Sequence, residues 1–450
     1  LNACILFLEK HLYNGSISWP TFQYMVAEAQ YGGKITDTLD RRLFKTFVNV
    51  WLNPGTCADG FAFNPKAAIQ KIQDNFVYRV QSFDQIGLYQ TYIKGFPEVD
   101  SPEMFGLHPN ADLTFRVKEV TALFGTLSDT QPKGGGSSGD GPSREDVVGE
   151  KADEMLSKMP EQYNEDDYKA KIQKLGGLSV PLNIFLYQEI QRLQAVLFKV
   201  INMLNQTKLA INGEVVMTED LQSLINSVFE AKVPKMWLFT VAGDELSWLI
   251  TSLGNWNTSL IARDDQMRSW LTGGRPSVYW LTGFFNPQGM LTAMKQEVCR
   301  KHLKDQASRK QDSRDPRDSW ALDDIMYHTE VQHTASVDHI KSAPAEGCYI
   351  HGLSLEGCAW SRDAQVLLES EPKTLFVALP ILLVTANNKV MEMEGRKGIF
   401  GAQGPYDCPC YKYRTRTDRF YIFSVTLKCT VEKNGAFWAL RGAALLCNID

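Results

Sequence analysis

The chain has 450 residues, with 47 basic against 52 acidic side chains, so its formal net charge is −5. Hydrophobic residues make up 44% of the sequence, an ordinary globular proportion that excludes collagen-like, wholly disordered and disulfide-scaffold proteins. The near balance of charge gives no overall field that would draw the chain to nucleic acid or to an anionic membrane. A chain of this length predicts roughly two to four domains.

The apolar runs of the chain show no membrane or export signal. The longest, at 375–384, includes a proline and has about half the length that a membrane-spanning helix needs. The opening residues look like half of an amphipathic helix and have no signal-peptide features. Because residue 1 is Leu1 and not Met, we expect a piece of a longer polypeptide. The odd number of cysteines, nine, favours reduced thiols in a cytosolic-type compartment.

Residues 1–127 are predicted to be mostly helical. One helix should span 19–31, because Trp-Pro is a helix-start signal and the pair Gly32-Gly33 is typical of a left-handed C-cap. Thr36 is the predicted N-cap of the next helix. The apolar stripe of that helix is predicted to be Leu39, Leu43, Phe44 and Phe47.

A Gly/Ser-rich linker is predicted at 128–150, and a helical pattern resumes over 151–300. The strongest helix prediction is 182–204, where apolar residues recur at alternating spacings of four and three, as on a packed core helix. Thr218 is predicted to cap a further helix. Residues 301–318 are charged and nearly free of aliphatic side chains, which predicts an exposed loop. The stripe of the central helix consists of Leu186, Ile190, Leu193, Leu197, Val200 and Leu204.

Residues 319–450 change from helical to strand periodicity. Apolar and polar residues alternate over 420–429, and Asn434-Gly435 is a strong hairpin signal. The run at 375–384 predicts a buried strand, in which Pro380 favours an edge, a bend or a bulge. We therefore expect an α+β protein, whose helical region is followed by a small antiparallel β unit that is barrel-like.

Two segments match phosphate-binding motifs in part, and each lacks a feature that the motif requires. Residues 134–139, GGGSSG, match G-x-G-x-x-G, but the required strand and helix do not flank them. Gly32-Gly33-Lys34 is followed by Ile35 where a P-loop needs Ser or Thr for magnesium. We expect no catalytic and no cofactor-binding residue in this chain.

A cluster of histidines and cysteines leaves an alternative open, namely an enzyme with a metal site. Its members are His328, His333, His339, Cys348, His351 and Cys358. Their spacing places side chains on different faces of a helix or a strand, so we expect no metal ligand among them. A basic cluster near the C-terminus favours a protein interface or a solvated face over phosphate binding. It consists of Lys412, Arg414, Arg416 and Arg419.

The aromatic segment 275–289 predicts a compact hydrophobic corner. Trp280, Phe284 and Phe285 supply apolar area, and the glycines and proline between and after them bend the backbone. No side chain of the corner is suited to acid–base chemistry, so its value is as an identifying motif.

The segment Trp280–Thr292 closely resembles the W-x-T/S-G-F-F-x-P-Q-G-F-L-T motif near the C-terminus of dynein heavy chains. Further segments resemble that family in the family's order, namely 19–43, 103–112, 181–189, 352–360 and 441–450. The resemblance thus covers essentially the whole chain. The motif residues that we expect to have structural roles are Tyr31, Gly32, Gly33, Asp37, Arg41, His108, Pro109, Trp280, Gly283, Phe284, Phe285, Pro287, Gln288, Gly289, Gly352, Gly357, Trp360, Arg441 and Gly442.

This resemblance implies that 1–127 is the helical lid of the sixth AAA+ module and that the rest is the C-terminal domain. It implies a non-catalytic structural and regulatory part of a minus-end-directed microtubule motor, with ATP and magnesium bound by upstream modules. The expected partners are the rest of the heavy-chain ring and, through other parts of the complex, intermediate and light chains and microtubules. The expected location is the cytoskeleton of the ciliary axoneme. A free-standing helical scaffold is the remaining alternative.

Three departures from the family pattern limit what the resemblance implies. Residues 303–318 look like an insertion, and 387–404 form a longer predicted loop than the family has. Tyr187 stands where a basic residue is usual.

Overall fold

The computed structural model describes residues 2–64, 76–98, 100, 102, 107–130, 143–250, 252–308, 318–332, 336–400 and 405–449. The chain divides into two compact units, Leu1–Gln131 and Pro132–Asp450. In the described ranges, no helix is both long and apolar enough to cross a membrane.

The first unit is built from helices. They are α1 (Asn2–Tyr13), α2 (Trp19–Tyr24), a π-helix (Met25–Gln30), 3-10 helices at Gly32–Lys34 and Pro54–Cys57, α3 (Thr38–Trp51), α4 (Ile86–Lys94) and α5 (Asn110–Thr130). Only Phe22, Ala27 and Val48 are buried hydrophobic residues in the described part of this unit. The helices therefore share a small core.

The helix that begins at Trp19 does not end at a left-handed glycine, so that prediction is wrong. It widens into the π-helix, and Gly32 and Gly33 follow in a 3-10 turn with φ outside the left-handed region. A Cβ on Gly32 would lie 1.4 Å from the carbonyl oxygen of Ala27. The glycine is required because the backbone approaches itself closely there.

Helix α3 is capped by Asp37, where the sequence favoured Thr36. The Asp37 carboxylate accepts a hydrogen bond from the Asp40 amide at 3.0 Å, which satisfies a free donor of the first turn. Of the predicted stripe, Leu43 is exposed, whereas Phe44 and Phe47 are half-buried. The side chain of Leu39 lies outside the described residues.

The second unit combines a helical layer with three sheets. Its α-helices are α6 (Arg144–Lys158), α7 (Glu165–Lys174), α8 (Pro181–Ile211), α9 (Glu219–Phe229), α10 (Lys235–Leu238), α11 (Leu253–Gly273), α12 (Pro287–Ser308), α13 (Lys389–Phe400) and α14 (Gly435–Leu440). The predicted stripe of α8 is confirmed, since each of its six residues has 0% exposure. Thr218 caps α9 as predicted, because its hydroxyl accepts from the Leu221 amide at 3.3 Å.

Two predicted loops are partly helical. Helix α12 continues through 301–308, where the ring of His302 stacks on Trp320 at 3.7 Å and both Lys301 and His302 bond to Glu346. These contacts hold the segment in a helix where a loop was predicted, although most of its side chains are exposed, as composition indicated. Helix α13 occupies most of 387–404. Residues 309–317 and 401–404 lie outside the described residues.

The flanks of the Gly/Ser tract are also helical. Helix α5 extends to Thr130 and α6 begins at Arg144, so both helices reach into the predicted 128–150 linker. The side chain of Ser143 caps α6 by accepting from the Asp146 amide at 3.1 Å. The tract at 131–142 lies outside the described residues.

The strands form mixed sheets where an antiparallel barrel-like unit was expected. The strands are β1 (Val278–Trp280), β2 (Ile325–Val331), β3 (Cys348–His351), β4 (Ser354–Glu356), β5 (Ala359–Trp360), β6 (Leu367–Leu368), β7 (Phe376–Ala378), β8 (Leu382–Asn388), β9 (Tyr406–Tyr411), β10 (Tyr421–Leu427) and β11 (Ala444–Leu446). The strand orders of the three sheets are β1-β3-β8-β2, β10-β9-β11-β4-β7 and β5-β6, and two pairings, β1 with β3 and β11 with β9, are parallel. The described strands do not close into a barrel.

Two local predictions in the sheets have opposite outcomes. The single buried strand predicted over 375–384 is wrong, because the run is divided between β7 in one sheet and β8 in another, but the predicted bend does occur at Pro380, between them. The hairpin at Asn434-Gly435 is wrong, since the Asn434 side chain accepts from the Phe437 amide at 3.2 Å and caps α14. The indole of Trp438 is fully buried behind this cap, which favours a helical turn over a hairpin.

Candidate functional site

The aromatic corner is a tight chain reversal between β1 and α12. A 3-10 turn, Leu281–Gly283, follows the strand, and Pro287 takes the first position of the helix. A Cβ on Gly283 would lie 2.4 Å from the Trp280 ring, so only glycine fits there. Phe284 is 1% exposed and meets Phe185 of α8 edge to face at 5.0 Å. The corner is thus compact and apolar, with Phe284 buried and Trp280 and Phe285 half-buried.

The turn after β3 brings a second motif against this corner. The Thr282 hydroxyl donates to the Gly352 carbonyl at 2.7 Å, and Trp280 pairs with His351 across the parallel strands. Gly352 has φ of 95°, and a Cβ there would fall 2.7 Å from the Trp280 ring. The segments around 280 and 352 are therefore adjacent in space.

A buried carboxylate joins the helical layer to the corner. Glu189 of α8 accepts hydrogen bonds from the amides of Phe285 and Asn286, at 2.6 and 3.1 Å, and is 1% exposed. Burial raises the pKa of Glu189 to about 7, while these two amides and the cations Arg192 and Arg263 oppose the rise. The sequence analysis did not single out Glu189. The feature that could have identified it is its position as an acidic residue next to Ile190, in the apolar stripe of α8.

The start of α12 completes the corner. The Asn286 side chain accepts from the Gly289 amide at 3.0 Å, which caps the helix. A Cβ on Gly289 would lie 2.5 Å from that side chain. The Gln288 carbonyl accepts from the Thr292 hydroxyl at 2.9 Å.

A cavity of about 360 Å³ opens beside the corner. Phe285, Pro287 and Trp248 form part of its wall. Arg263 of α11 also lines it, with its guanidinium over the Trp248 ring at 4.2 Å from the ring centroid. Burial lowers the pKa of Arg263 to about 10, so the side chain remains a cation at neutral pH.

Comparison with known proteins identifies the family. The family model for the C-terminal domain of dynein heavy chains matches residues 117–447, and the model for the AAA lid domain of dynein heavy chains matches 1–111. The chain belongs to the dynein heavy-chain family. The alternatives, a metal-site enzyme and a scaffold unrelated to a motor, are not supported.

Axonemal dyneins are among its similar relatives. Dynein axonemal heavy chain 5 of Mus musculus is 38% identical over 100% of this chain and 9% of its own length. Dynein axonemal heavy chain 8 of Homo sapiens is 37% identical, with the same coverage. The dynein gamma chain of the flagellar outer arm of Chlamydomonas reinhardtii is 38% identical over 100% of this chain and 10% of its own length. The chain spans about a tenth of the length of these heavy chains.

In the first unit of this dynein segment, the motif residues make local contacts. Arg41 donates to the Gly32 carbonyl at 3.2 Å, which ties α3 to the 3-10 turn. The His108 ring accepts from the Asn110 amide at 3.2 Å where α5 begins, with Pro109 between them. Tyr31 is mostly exposed, with its ring 6.1 Å from that of Phe44. The part of the 103–112 motif before Leu107 lies outside the described residues.

The remaining motif residues lie near β4 and β11. Gly357 and Gly442 have φ of 80° and 67°, in the region that favours glycine. Arg441 reaches Glu369 at 3.4 Å, and its guanidinium lies over the Phe437 ring at 5.1 Å from the centroid. Trp360 is almost fully buried in β5. These residues shape turns of the five-stranded sheet and its neighbour.

Members of the predicted histidine and cysteine cluster have different surroundings where the structure describes them. His328 bonds to Glu392 at 2.9 Å, and burial raises the pKa of Cys348 to about 12. In the ranges that the structure describes, no three His, Cys, Asp or Glu side chains are arranged to hold a metal ion. His333 lies outside those ranges.

The basic cluster is largely paired with acidic side chains. Arg414 and Arg416 both bond to Glu356, and Lys412 contacts Glu245 at 2.9 Å. Arg419 lies over the Phe420 ring, and no acidic partner is found for it among the described residues. The four cations thus face two carboxylates, because Arg414 and Arg416 share Glu356, and the cluster keeps an excess of two positive charges, with Arg419 as the member without an acidic partner in the described ranges.

Proposed function

We propose that this chain is the C-terminal portion of an axonemal dynein heavy chain. Its function there is non-catalytic, structural and regulatory, within an ATP-driven, minus-end-directed microtubule motor of the ciliary axoneme. The two family models, in the order lid and then C-terminal domain over one chain, support this proposal. So do the names of relatives, which are axonemal or flagellar dyneins.

In this proposal residues 1–127 are the lid of the sixth AAA+ module and 128–150 connect it to the C-terminal domain. That domain comprises the helical part 151–300, the charged segment 301–318 and the β unit 319–450. ATP and magnesium bind to upstream modules. The direct partner is the rest of the heavy-chain ring; intermediate chains, light chains and microtubules bind elsewhere in the complex.

The observation that carries the structural role is the bond between Glu189 and the aromatic corner. One carboxylate holds two consecutive amides, those of Phe285 and Asn286, and so fixes α8 to the chain reversal from which α12 begins. Such a fully buried, doubly bonded connection makes the two elements move together. A rigid body of this kind transmits a displacement between surfaces without taking part in hydrolysis.

The test uses a full-length heavy chain that carries Glu189→Ala, with Glu214→Ala, an exposed residue of the same unit, as the matched control. We expect ATP hydrolysis to persist in both variants, and microtubule gliding velocity to fall in Glu189→Ala alone. Circular dichroism and protease resistance show that each variant is folded.

Two outcomes contradict the proposal. Loss of hydrolysis in a folded Glu189→Ala chain, with nucleotide still bound upstream, would give this segment a catalytic role. Unchanged gliding in the folded variant, and in a heavy chain that lacks residues 132–450, would remove the structural and regulatory role.

A further inference from the structure

The cavity beside the aromatic corner has a surplus of positive charge. Four cationic side chains line it, against two carboxylates. The cations are Arg192, Arg263, Lys412 and Arg419, and the carboxylates are Asp244 and Glu245. Since the chain as a whole is slightly acidic, this local excess of two positive charges is not a consequence of composition.

Arg263 is a buried cation with unused hydrogen-bond donors. It is 4% exposed, and its Nε donates to the Ser259 hydroxyl at 3.2 Å. Its terminal amino groups have no hydrogen-bond partner among the described residues, although the side chain lines the cavity. Leaving charged donors unpaired inside a protein is costly, so such a group usually faces a ligand or ordered water.

The remaining cations differ in how far they are neutralised. Lys412 is paired with Glu245, which also accepts from the Tyr413 hydroxyl at 3.3 Å. Arg419 has no acidic partner among the described residues, and Arg192 lies 4.0 Å from Glu189. Arg192 and Arg419 are exposed residues that also line a neighbouring depression, so they stand where the cavity opens.

We propose that this cavity binds a phosphate dianion, either free or carried by a small organic ester. Arg263 contacts the anion from the interior, and Arg192 and Arg419 complete the binding from the opening. Guanidinium groups donate two parallel hydrogen bonds to phosphate oxygens, which gives such contacts their strength.

Charge and size decide the ligand class. A phosphate dianion offers these guanidinium groups more charge and more acceptor oxygens than a monocarboxylate does, and Glu189, 4.0 Å from Arg192, offsets only part of the positive charge. A volume of about 360 Å³ falls at the lower end of the roughly 300–1,000 Å³ of small-molecule sites, which leaves room for an ester group beyond the phosphate. The apolar wall at Phe285 and Pro287 suits the carbon part of such an ester.

The experiment is calorimetric titration of the full 450-residue chain with inorganic phosphate, glycerol 3-phosphate, glycerol and acetate. We expect one site for both phosphate compounds, no heat of binding with glycerol, and binding of acetate weaker by about tenfold or more. Tighter binding of glycerol 3-phosphate than of phosphate indicates an ester as the ligand; equal binding indicates the free anion.

Variants test whether phosphate binds in this cavity. Arg419→Gln changes an exposed residue, so it leaves the fold intact, and it should weaken phosphate binding by about tenfold. Arg362→Gln, which removes an exposed arginine outside the cavity, is the matched control and should bind as the parent does. Arg263→Gln should abolish binding, with circular dichroism to confirm its fold.

The proposal is overturned if neither phosphate compound binds at millimolar concentration. It is equally overturned if Arg419→Gln and Arg362→Gln weaken binding by the same factor, because the interaction is then a nonspecific effect of net charge.

Discussion

The two units of the chain differ in how completely they bury their apolar residues. In Pro132–Asp450, one continuous core extends from Val148 in the helical layer to Cys447 beside the five-stranded sheet. In the described part of Leu1–Gln131, α1 and α4 contain no buried residue. Helix α5 exposes apolar side chains along much of its length, namely Phe115, Val117, Val120, Leu123, Phe124 and Leu127.

This difference shows where the stability of the chain resides. Burial of apolar surface supplies roughly 25 cal/mol per Å², and it must exceed the conformational entropy that folding costs. The second unit has a core large enough to do so. The family's lid-domain model matches residues 1–111 of the first unit, whereas most of α5 falls within the match of the C-terminal domain. Exposed apolar helices of this kind are often covered by neighbouring protein in a larger assembly.

The largest expected difference between the units is in amide hydrogen exchange of the whole chain. We expect the amides of α8 to exchange most slowly, and those of α1 and α4 to exchange about a thousandfold faster, because local opening there exposes little buried surface. Mass spectrometry of peptic fragments measures both. Equal protection in the two units would show that their stabilities do not differ.

Truncation of a core residue should destabilise the second unit strongly. Leu193 on α8 has 0% exposure, so Leu193→Ala should lower the free energy of unfolding by about 3–4 kcal/mol, through lost burial and the cavity left behind. Denaturant titration measures this change. Phe115→Ala is the control, since Phe115 is 63% exposed and its truncation should cost less than about 0.5 kcal/mol. Similar losses in both variants would contradict this interpretation.

The buried carboxylate of the second unit should make its stability depend on pH. The folded-state pKa of Glu189, about 7, exceeds the ordinary value of 4.5, so folding favours the protonated form. Stability from this source is therefore complete below about pH 4.5 and is lost as pH rises through 7. Between those values the parent should lose about 2–3 kcal/mol more than Glu189→Gln does, as measured by urea titration at each pH.

Glu392 is the matched control, because its shift has the opposite sign. Although burial opposes the change, its bonds with His328 and Arg396 lower the pKa of Glu392 to about 2. Its contribution is present above about pH 4.5 and is lost as pH falls towards 2. Glu392→Gln should therefore reduce the acid sensitivity of the parent below about pH 4.5. It also removes the bond that raises the pKa of His328, so this assignment is tested in that acid range. The opposite pattern in either variant would contradict these assignments.

The smallest expected effect compares one helix cap in each unit. Thr218→Ala and Asp37→Ala each remove a side chain that accepts a hydrogen bond from the first turn, and each should cost about 1 kcal/mol. Denaturant titration of each variant measures this effect. If the units unfold separately, Thr218→Ala shifts the unfolding transition at higher denaturant concentration, and Asp37→Ala shifts the one at lower concentration. A shift of both transitions by either variant would show that the units unfold together.

Periodicity predicted the parts of the fold that depend on one buried face. The stripe of α8 is such a case, because spacings of four and three place six residues on one side of a helix regardless of its partner. Pro380 likewise marked the bend between β7 and β8, since proline lacks the amide that a central strand requires.

Short sequence motifs and local composition gave wrong predictions where contacts with distant residues favoured a different secondary structure. Asn434-Gly435 is compatible with a hairpin and with a helix start, and burial of Trp438 selects the helix. The charged residues 301–308 form a helix because Glu346 and Trp320, distant in sequence, bond to or stack on them. These contacts with distant residues cannot be inferred from the composition of the segment.

Motifs in the sequence showed the resemblance to the family, and residue spacing predicted the buried stripe of the central helix and a mainly helical region before the strands. Tertiary contacts were needed to show that Glu189 holds the aromatic corner and that Arg263 lines a cavity with unpaired donors. The reason is that these groups meet across separations of many residues, and burial sets their charge states. The burial of a charged group by residues that are distant in sequence has no local signature, unlike the burial of an apolar stripe.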